Sequence, residues 1–405
     1  MRRLSICVLI VLFGRDYTKG ADTWKTLDMP GAVQTTPRDI DGNNIVGIYS
    51  DNHLKQHCFL YDMITQKWTI IDAPDMPSAN PISIIIVVSG DNVMERYYEY
   101  TERDFMYNIS SQKWTIFYGP GGNRDTIGQS VKIFGTDGNM VVGTYTIITG
   151  KKDYRLITIN QGFVYNGTNY INLDKPGSIA GSTKPVKVRG NKIIGLYEDI
   201  QGSHGFLYDM SMQVWSILDM PEARIGGTEP IAITGNYVVG SYFDNSKHEF
   251  QHGFLYNINT GKWITLDNPK ITVGAGRTTL IRISGNNILV KDDDVHFSLY
   301  NIPNQKWTSI EMSGADETIV SDFDDNSVIG TYSNRKTPSN RGRAFLYNGL
   351  TWSNIDIPDS IVDITRPTKI KNNLIIGTYY NKSGQHGFLY DITALKEITD
   401  TTKNP

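Results

Sequence analysis

Two cysteines are all that this chain has. Cys7 lies in an apolar N-terminal run and Cys58 stands far from it, so neither a disulfide framework nor a Cys-based zinc site can be built. Charge of one sign is not in excess either. The 39 basic and 42 acidic residues leave no footprint for nucleic acid and no acidic tail. Long apolar runs are also missing. Residues 4–13, behind Met1-Arg2-Arg3, would span about 15 Å as a helix, roughly half a bilayer core. They read as the apolar part of an export leader over residues 1–20 rather than as a membrane anchor. The exit, residues 14–21, carries Arg15, Asp16 and Lys19 without a clean small-x-small site, and an apolar first strand is the other reading. No nucleophile elbow, phosphate loop or His-Glu-x-x-His stretch occurs, so no residue takes a catalytic role from sequence alone.

What the chain does have is repetition. His204-Gly205-Phe206-Leu207-Tyr208-Asp209 has close copies starting at His57, His252 and His386, and looser ones ending at Tyr107, Tyr165, Tyr300 and Tyr347. The period is roughly 45 residues, and a fixed period of this length marks a repeat architecture. Within the fourth unit, residues 185–188, 192–197, 205–208 and 214–218 read as four short strands. Gly190-Asn191 supplies hairpin-turn chemistry before the second strand, and Pro221 ends the fourth. Tyr at 23 and Gly at 38 suit strands and tight turns. The second strand carries a glycine in six units (47, 143, 195, 240, 330, 377), which marks a bulge or a close backbone approach. All seven tryptophans occupy one slot, the fourth strand, and are expected in the core.

Four short antiparallel strands per unit are the pattern of a propeller blade. The expected fold is therefore all-β, a single β-propeller over residues 21–405. Eight four-stranded blades are expected, with seven as the alternative. An extra copy of the fourth strand, residues 24–27, is expected to complete the last blade, because a ring left open would expose unpaired edges. The last unit's own fourth strand, residues 395–398, is weak and lacks tryptophan.

Leu27-Asp28-Met29-Pro30-Gly31-Ala32, then Asn44-Ile45-Val46-Gly47-Ile48-Tyr49, then His-Gly-Phe-Leu-Tyr, resembles the HAF family of extracellular repeats over nearly the whole chain. That resemblance implies an exported or surface protein and no particular activity. Tyr208-Asp209, Trp215 and Met220-Pro221 give a weaker similarity to Kelch repeats, although the paired glycines of a Kelch blade are missing.

Among candidate sites, His57, His204, His252, His296 and His386 fill one repeat slot. Copies in different blades lie too far apart to share a zinc ion, so turn capping is expected and no metal. Asp39-Ile40-Asp41-Gly42-Asn43 imitates the start of a calcium loop but has Ser50 where the glutamate belongs. It reads as turn chemistry, as do residues 322–326 and 292–294; no cofactor is expected, with calcium the alternative. The repeat breaks in units two and six, where Glu95 and Arg96, and Val290, Lys291 and Asp292, replace the glycine and its neighbours. Arg96 and Lys291 on opposite blades suggest an anion or sugar-acid site, drifted and solvated charges being the plainer reading. Residues 146–160 read as a long binding loop.

These features together suggest an exported monomer, secreted or at the cell surface, that binds carbohydrate or protein. Exposed Tyr197 with Asp199 and Tyr242 with Asp244 would form the binding face, although Tyr-x-Asp is itself part of the repeat, which favours a structural role for most copies. The rivals are a polysaccharide hydrolase or lyase with Glu95, Arg96, Lys291 and Asp292 converging near the axis, and a structural scaffold.

Overall fold

The structure is a computed structural model and describes residues 16–19, 22–74, 82–98, 102–119, 130–152, 155–247, 250–270, 278–292, 296–334, 342–357 and 364–393. Its strands form eight antiparallel sheets, seven of them four-stranded meanders in chain order, arranged as a closed ring: a β-propeller of eight blades. Blade 4 is typical, with strands Lys184–Arg189, Lys192–Asp199, Gly202–Asp209 and Val214–Ile217. Blade 8 is closed as the sequence predicts. The N-terminal strand Asp22–Thr26 pairs with the third strand Gly384–Asp391 in the register Trp24↔Tyr390 and Thr26↔Phe388. A further strand, Asp16–Lys19, pairs on its outer side, so this sheet has five strands. Residues 395–398 lie outside the described part of the chain. Among the described residues no helix is long and apolar enough to cross a membrane.

There is no single central core. Eight apolar clusters fill the eight junctions between blades, because successive strand residues point to opposite faces and each face meets a different neighbour. Ile45 thus packs towards blade 8 and Val46 towards blade 2. At roughly 25 cal/mol per Å² of apolar area, these wedges hold the ring together.

The second-strand glycines have a plain steric cause. A Cβ on Gly195 would stand 2.2 Å from the Lys184 carbonyl oxygen and 2.7 Å from the Phe206 ring, and the other five copies repeat this geometry. The register shifts in the first strand just beyond the residue opposite each glycine, as between Pro185 and Lys187. Blade 6 solves the same crowding differently. Val290 replaces the glycine, and its cross-strand partner is Ser298 where other blades have Phe. In blade 2 the shift comes earlier, between Ser83 and Ile85, and Glu95 takes the glycine position.

Two expectations are corrected. The tryptophans of the outermost strand are half-buried, since that strand has solvent on one side; only Trp24, covered by the fifth strand, is buried. Each indole lies against the third-strand aromatics, as Trp215 does with Tyr208 at 4.4 Å and Phe206 at 5.0 Å. Residues 146–160 are not a loop. The strands Met140–Lys152 and Arg155–Tyr165 extend as one long hairpin, paired from Thr146↔Asn160 out to Lys152↔Arg155.

Candidate functional site

The repeated histidine is a clasp. His57, His204 and His252 each place Nδ1 2.6 Å from an aspartate after the fourth strand (Asp72, Asp219 and Asp267), and His386 does the same with Asp28. Nε2 faces a second side chain from the turn before the third strand: Asp51, Asp199, Asp244 or Asn381. A second-strand tyrosine stacks on each imidazole at 5.0–5.2 Å. Burial pulls the His204 imidazolium down, but Asp219 and Asp199 outweigh it and hold its pKa above the ordinary value.

Tyr197 and Tyr242 are therefore buried, at 1% and 2% exposure, and do not offer the open aromatic faces expected of them. Asp199 and Asp244 hold turns, accepting the N–H of Gln201 and of Ser246 and facing the clasp histidines. In blade 8, Ser383 Oγ stands 2.9 Å from His386 Nε2, which continues to Asp28. The hydroxyl has a closer acceptor in Asn381 Oδ1 at 2.6 Å, and His386 Nε2 is itself 2.9 Å from that oxygen. This is a capped turn rather than an activated nucleophile.

The irregular residues of blades 2 and 6 do not meet. Glu95 is buried at the junction with blade 1, where it accepts the Tyr97 hydroxyl at 2.7 Å and Cys58 Sγ lies 3.1 Å from the same hydroxyl. Burial pushes its carboxyl up to about 8. Arg96, the next residue, points to the other face and grips Asp104 with two bonds of 2.6 and 2.8 Å and the Ile133 carbonyl at 2.8 Å, joining blade 2 to blade 3. Asp292 is buried and accepts from Ser298, which in turn accepts from Asn268. Lys291 sits half-buried opposite Phe297. Alternation along one strand, and a ring diameter between blades 2 and 6, keep these four apart.

The residues that do converge belong to the innermost strands. One register position beside the axis holds Asp39, Lys187, Arg282, Asp322 and Lys369 in blades 1, 4, 6, 7 and 8, and Gly135 and Ala232 in blades 3 and 5. Lys369 Nζ lies 3.5 Å from Asp39 and 4.0 Å from Asp322, and Arg282 bonds Asp322. The same carboxylates take backbone N–H groups of the following blade: Val88 on Asp39 and Ile370 on Asp322, each at 3.0 Å. Two residues on, Asp41, Asp137 and Asp324 bond Gly90, Gly190 and Asn372 in the same way. The acidic runs at 39–43 and 322–326 thus staple blade to blade. Among the described residues no three His, Cys, Asp or Glu side chains stand together to hold a metal ion. Asp293 and Asp294 lie outside the described residues.

Beside the axis, a cavity of about 520 Å³ opens between blades 3 and 4. Ser130, Lys132, Phe134, Asn160, Lys184 and Glu198 are among its walls. Lys184 Nζ sits 4.9 Å from the centre of the Phe134 ring, and Phe134 precedes Gly135 of the axial ring. The cavity therefore runs along the innermost strands of blades 3 and 4, the strands that also carry Gly135 and Lys187. Sequence reasoning missed this site because the charges lie scattered along the chain. Aligning the first strands on Pro37, Pro185 and Pro367 brings Asp39, Lys187 and Lys369 to one position, two residues later.

No family model matches the chain, and no curated protein matches it in sequence. Solved structures do. A prolyl endopeptidase structure superposes with a TM-score of 0.54 at 10% identity, covering 89% of this chain and 55% of that one. An acylaminoacyl peptidase of Pyrococcus horikoshii gives 0.50 at 9% identity, covering 86% and 57%. The β-propeller domain of the trilobed protease of Pyrococcus furiosus gives 0.48 at 8%, covering 80% and 99%. The chain spans little more than half the length of the first two. At these identities the likeness shows the fold. The expectation of a carbohydrate- or protein-binding surface module is corrected, since the matched structures are peptidases and the tyrosine faces on which it rested are buried; the residues of the polysaccharide-enzyme rival are dispersed.

Proposed function

We propose that this chain is a peptidase-related propeller, a module that admits a peptide segment and holds it beside the axis for hydrolysis by a partner. The observation that carries this reading is the polar cavity of about 520 Å³ that runs up to the charged innermost strands. Its size suits a few residues of extended peptide, within the usual range of roughly 300–1,000 Å³ for ligand pockets. Ser130, Thr144, Thr146, Asn160 and Ser182 line it with hydroxyl and amide groups. Such groups satisfy the donors and acceptors of a peptide backbone without selecting its side chains. Phe134 adds one apolar wall. The peptidase structures above supply the class of chemistry, and this chain supplies the entrance.

The test is fluorescence anisotropy with a panel of labelled peptides of four to six residues on the full chain. Saturable binding that weakens about tenfold in Asn160→Ala and Ser130→Ala is expected, the loss of one or two hydrogen bonds. Peptides that fail to bind, or that bind these variants as tightly as the parent, would sink the reading.

A further inference from the structure

Lys187 is the odd member of the axial ring. Asp39 and Asp322 are fully engaged, by Lys369 and Arg282 and by the Val88 and Ile370 amides. Asp137, a carboxylate that bears on Lys187, is held by Arg189 Nη1 at 2.9 Å and the Gly190 amide at 2.6 Å. No described residue forms a hydrogen bond or ion pair with the Lys187 ammonium. Its other charged neighbours are cations: Arg282, Lys369 and Arg189. The position therefore carries three cations against two carboxylates, with the surplus on Lys187.

The register packs the stem of this lysine closely and puts no long side chain at its flanks. The equivalent positions in the two flanking blades are Gly135 and Ala232, the smallest side chains in the ring. A Cβ on Gly135 would lie 3.0 Å from Lys187 Cα and 3.3 Å from its Cδ, so the lysine stem runs against bare backbone. Burial and the surrounding cations push the Lys187 ammonium below the ordinary lysine range. A half-buried ammonium facing other cations is costly unless something negative joins it.

We infer that the charged ring beside the axis holds a site for a small oxyanion, bound by the Lys187 ammonium with Arg282 and Lys369 beside it. An ammonium supplies three donors and a guanidinium a planar fork, so carboxylate and phosphate oxygens both fit. Where the peptide-admitting reading holds, the occupant is the free carboxylate at a peptide's end, and this site then fixes which end enters first. Free inorganic phosphate has the same chemistry.

The experiment titrates the full chain with inorganic phosphate at constant ionic strength set by chloride, following thermal unfolding and heat of binding. A saturable rise of about 3 °C is expected. Lys187→Met should abolish that rise and raise the phosphate-free midpoint, because the crowding of cations is relieved. Lys262→Met, altering an exposed lysine on the outermost strand of blade 5, should keep the rise. A rise that never saturates, or that survives in Lys187→Met, overturns the site. A pentapeptide and its C-terminal amide then separate the sources. Competition with phosphate by the free acid alone supports the carboxylate as occupant. Saturable phosphate binding with both peptides inert upholds the oxyanion site and sinks the peptide reading.

Discussion

His386 Nδ1 and Asp28 Oδ2 stand 2.6 Å apart although 358 positions separate them in the chain. Asp28 also accepts the Gly387 amide at 3.0 Å. In other blades the same clasp ties a blade to itself; here it locks the N-terminal strand into blade 8. Asp28→Ala is expected to cost about 1–2 kcal/mol, since the carboxylate is partly solvated. Asp219→Ala, which breaks the clasp inside blade 4, serves as the comparison. Chemical denaturation should show a lower midpoint for both, and proteolysis near residue 20 should accelerate only in Asp28→Ala.

The second-strand glycine sets a packing prediction. Gly195→Ala drives a methyl into the Lys184 carbonyl and the Phe206 ring, at a cost of about 3 kcal/mol. Blade 6 pairs Val290 with Ser298, the compensated version of this contact. Gly195→Ala with Phe206→Ser should therefore lose less than the two single changes added together. Urea unfolding of the four proteins in the cycle measures the coupling, and simple additivity would refute the compensation.

Glu95 makes stability depend on pH. Its folded pKa, about 8, lies above its unfolded value near 4.5, so the folded chain binds the proton more tightly. Stability linked to this group is full below the unfolded value and is lost as pH rises through 8. Glu95→Gln, which keeps the shape and cannot ionise, is expected to resemble the parent at pH 5. At pH 9 it should be the more stable. Melting curves at the two pH values decide it; an equal difference at both would mean the carboxyl is already ionised in the fold.

His204 follows the same sign for a different reason, since its pKa is raised by Asp219 and Asp199 against the pull of burial. The stabilisation is present below the unfolded value near 6.5 and fades as pH rises through the folded one. The gap in melting temperature between parent and His204→Asn should be wider at pH 6 than at pH 8.5.

Much of the ring was legible in the sequence, because repeat period, turn pairs and the glycine slot are local signals. Trp24 even announced the closing strand. What stayed hidden depends on which face a residue meets. Glu95 and Arg96 are neighbours in sequence yet lie in different junctions, since alternation sends them to opposite sides. Tyr197 read as a surface aromatic, but the His204 imidazole stacks on it and Lys175 Nζ lies 4.0 Å from its ring centre. The first strands vary most in sequence, so the axial charges looked like noise until the register aligned them.

The closing strand also fixes where the ring can open. Thr23 pairs with Asp391 and Thr26 with Phe388, and the outer strand turns back so that Asp16 lies beside Lys25. Seven blades are each one continuous stretch of chain, whereas the eighth joins two distant stretches through this ladder and the clasp of Asp28 on His386. The ring can therefore part at blade 8 with no covalent link across the gap.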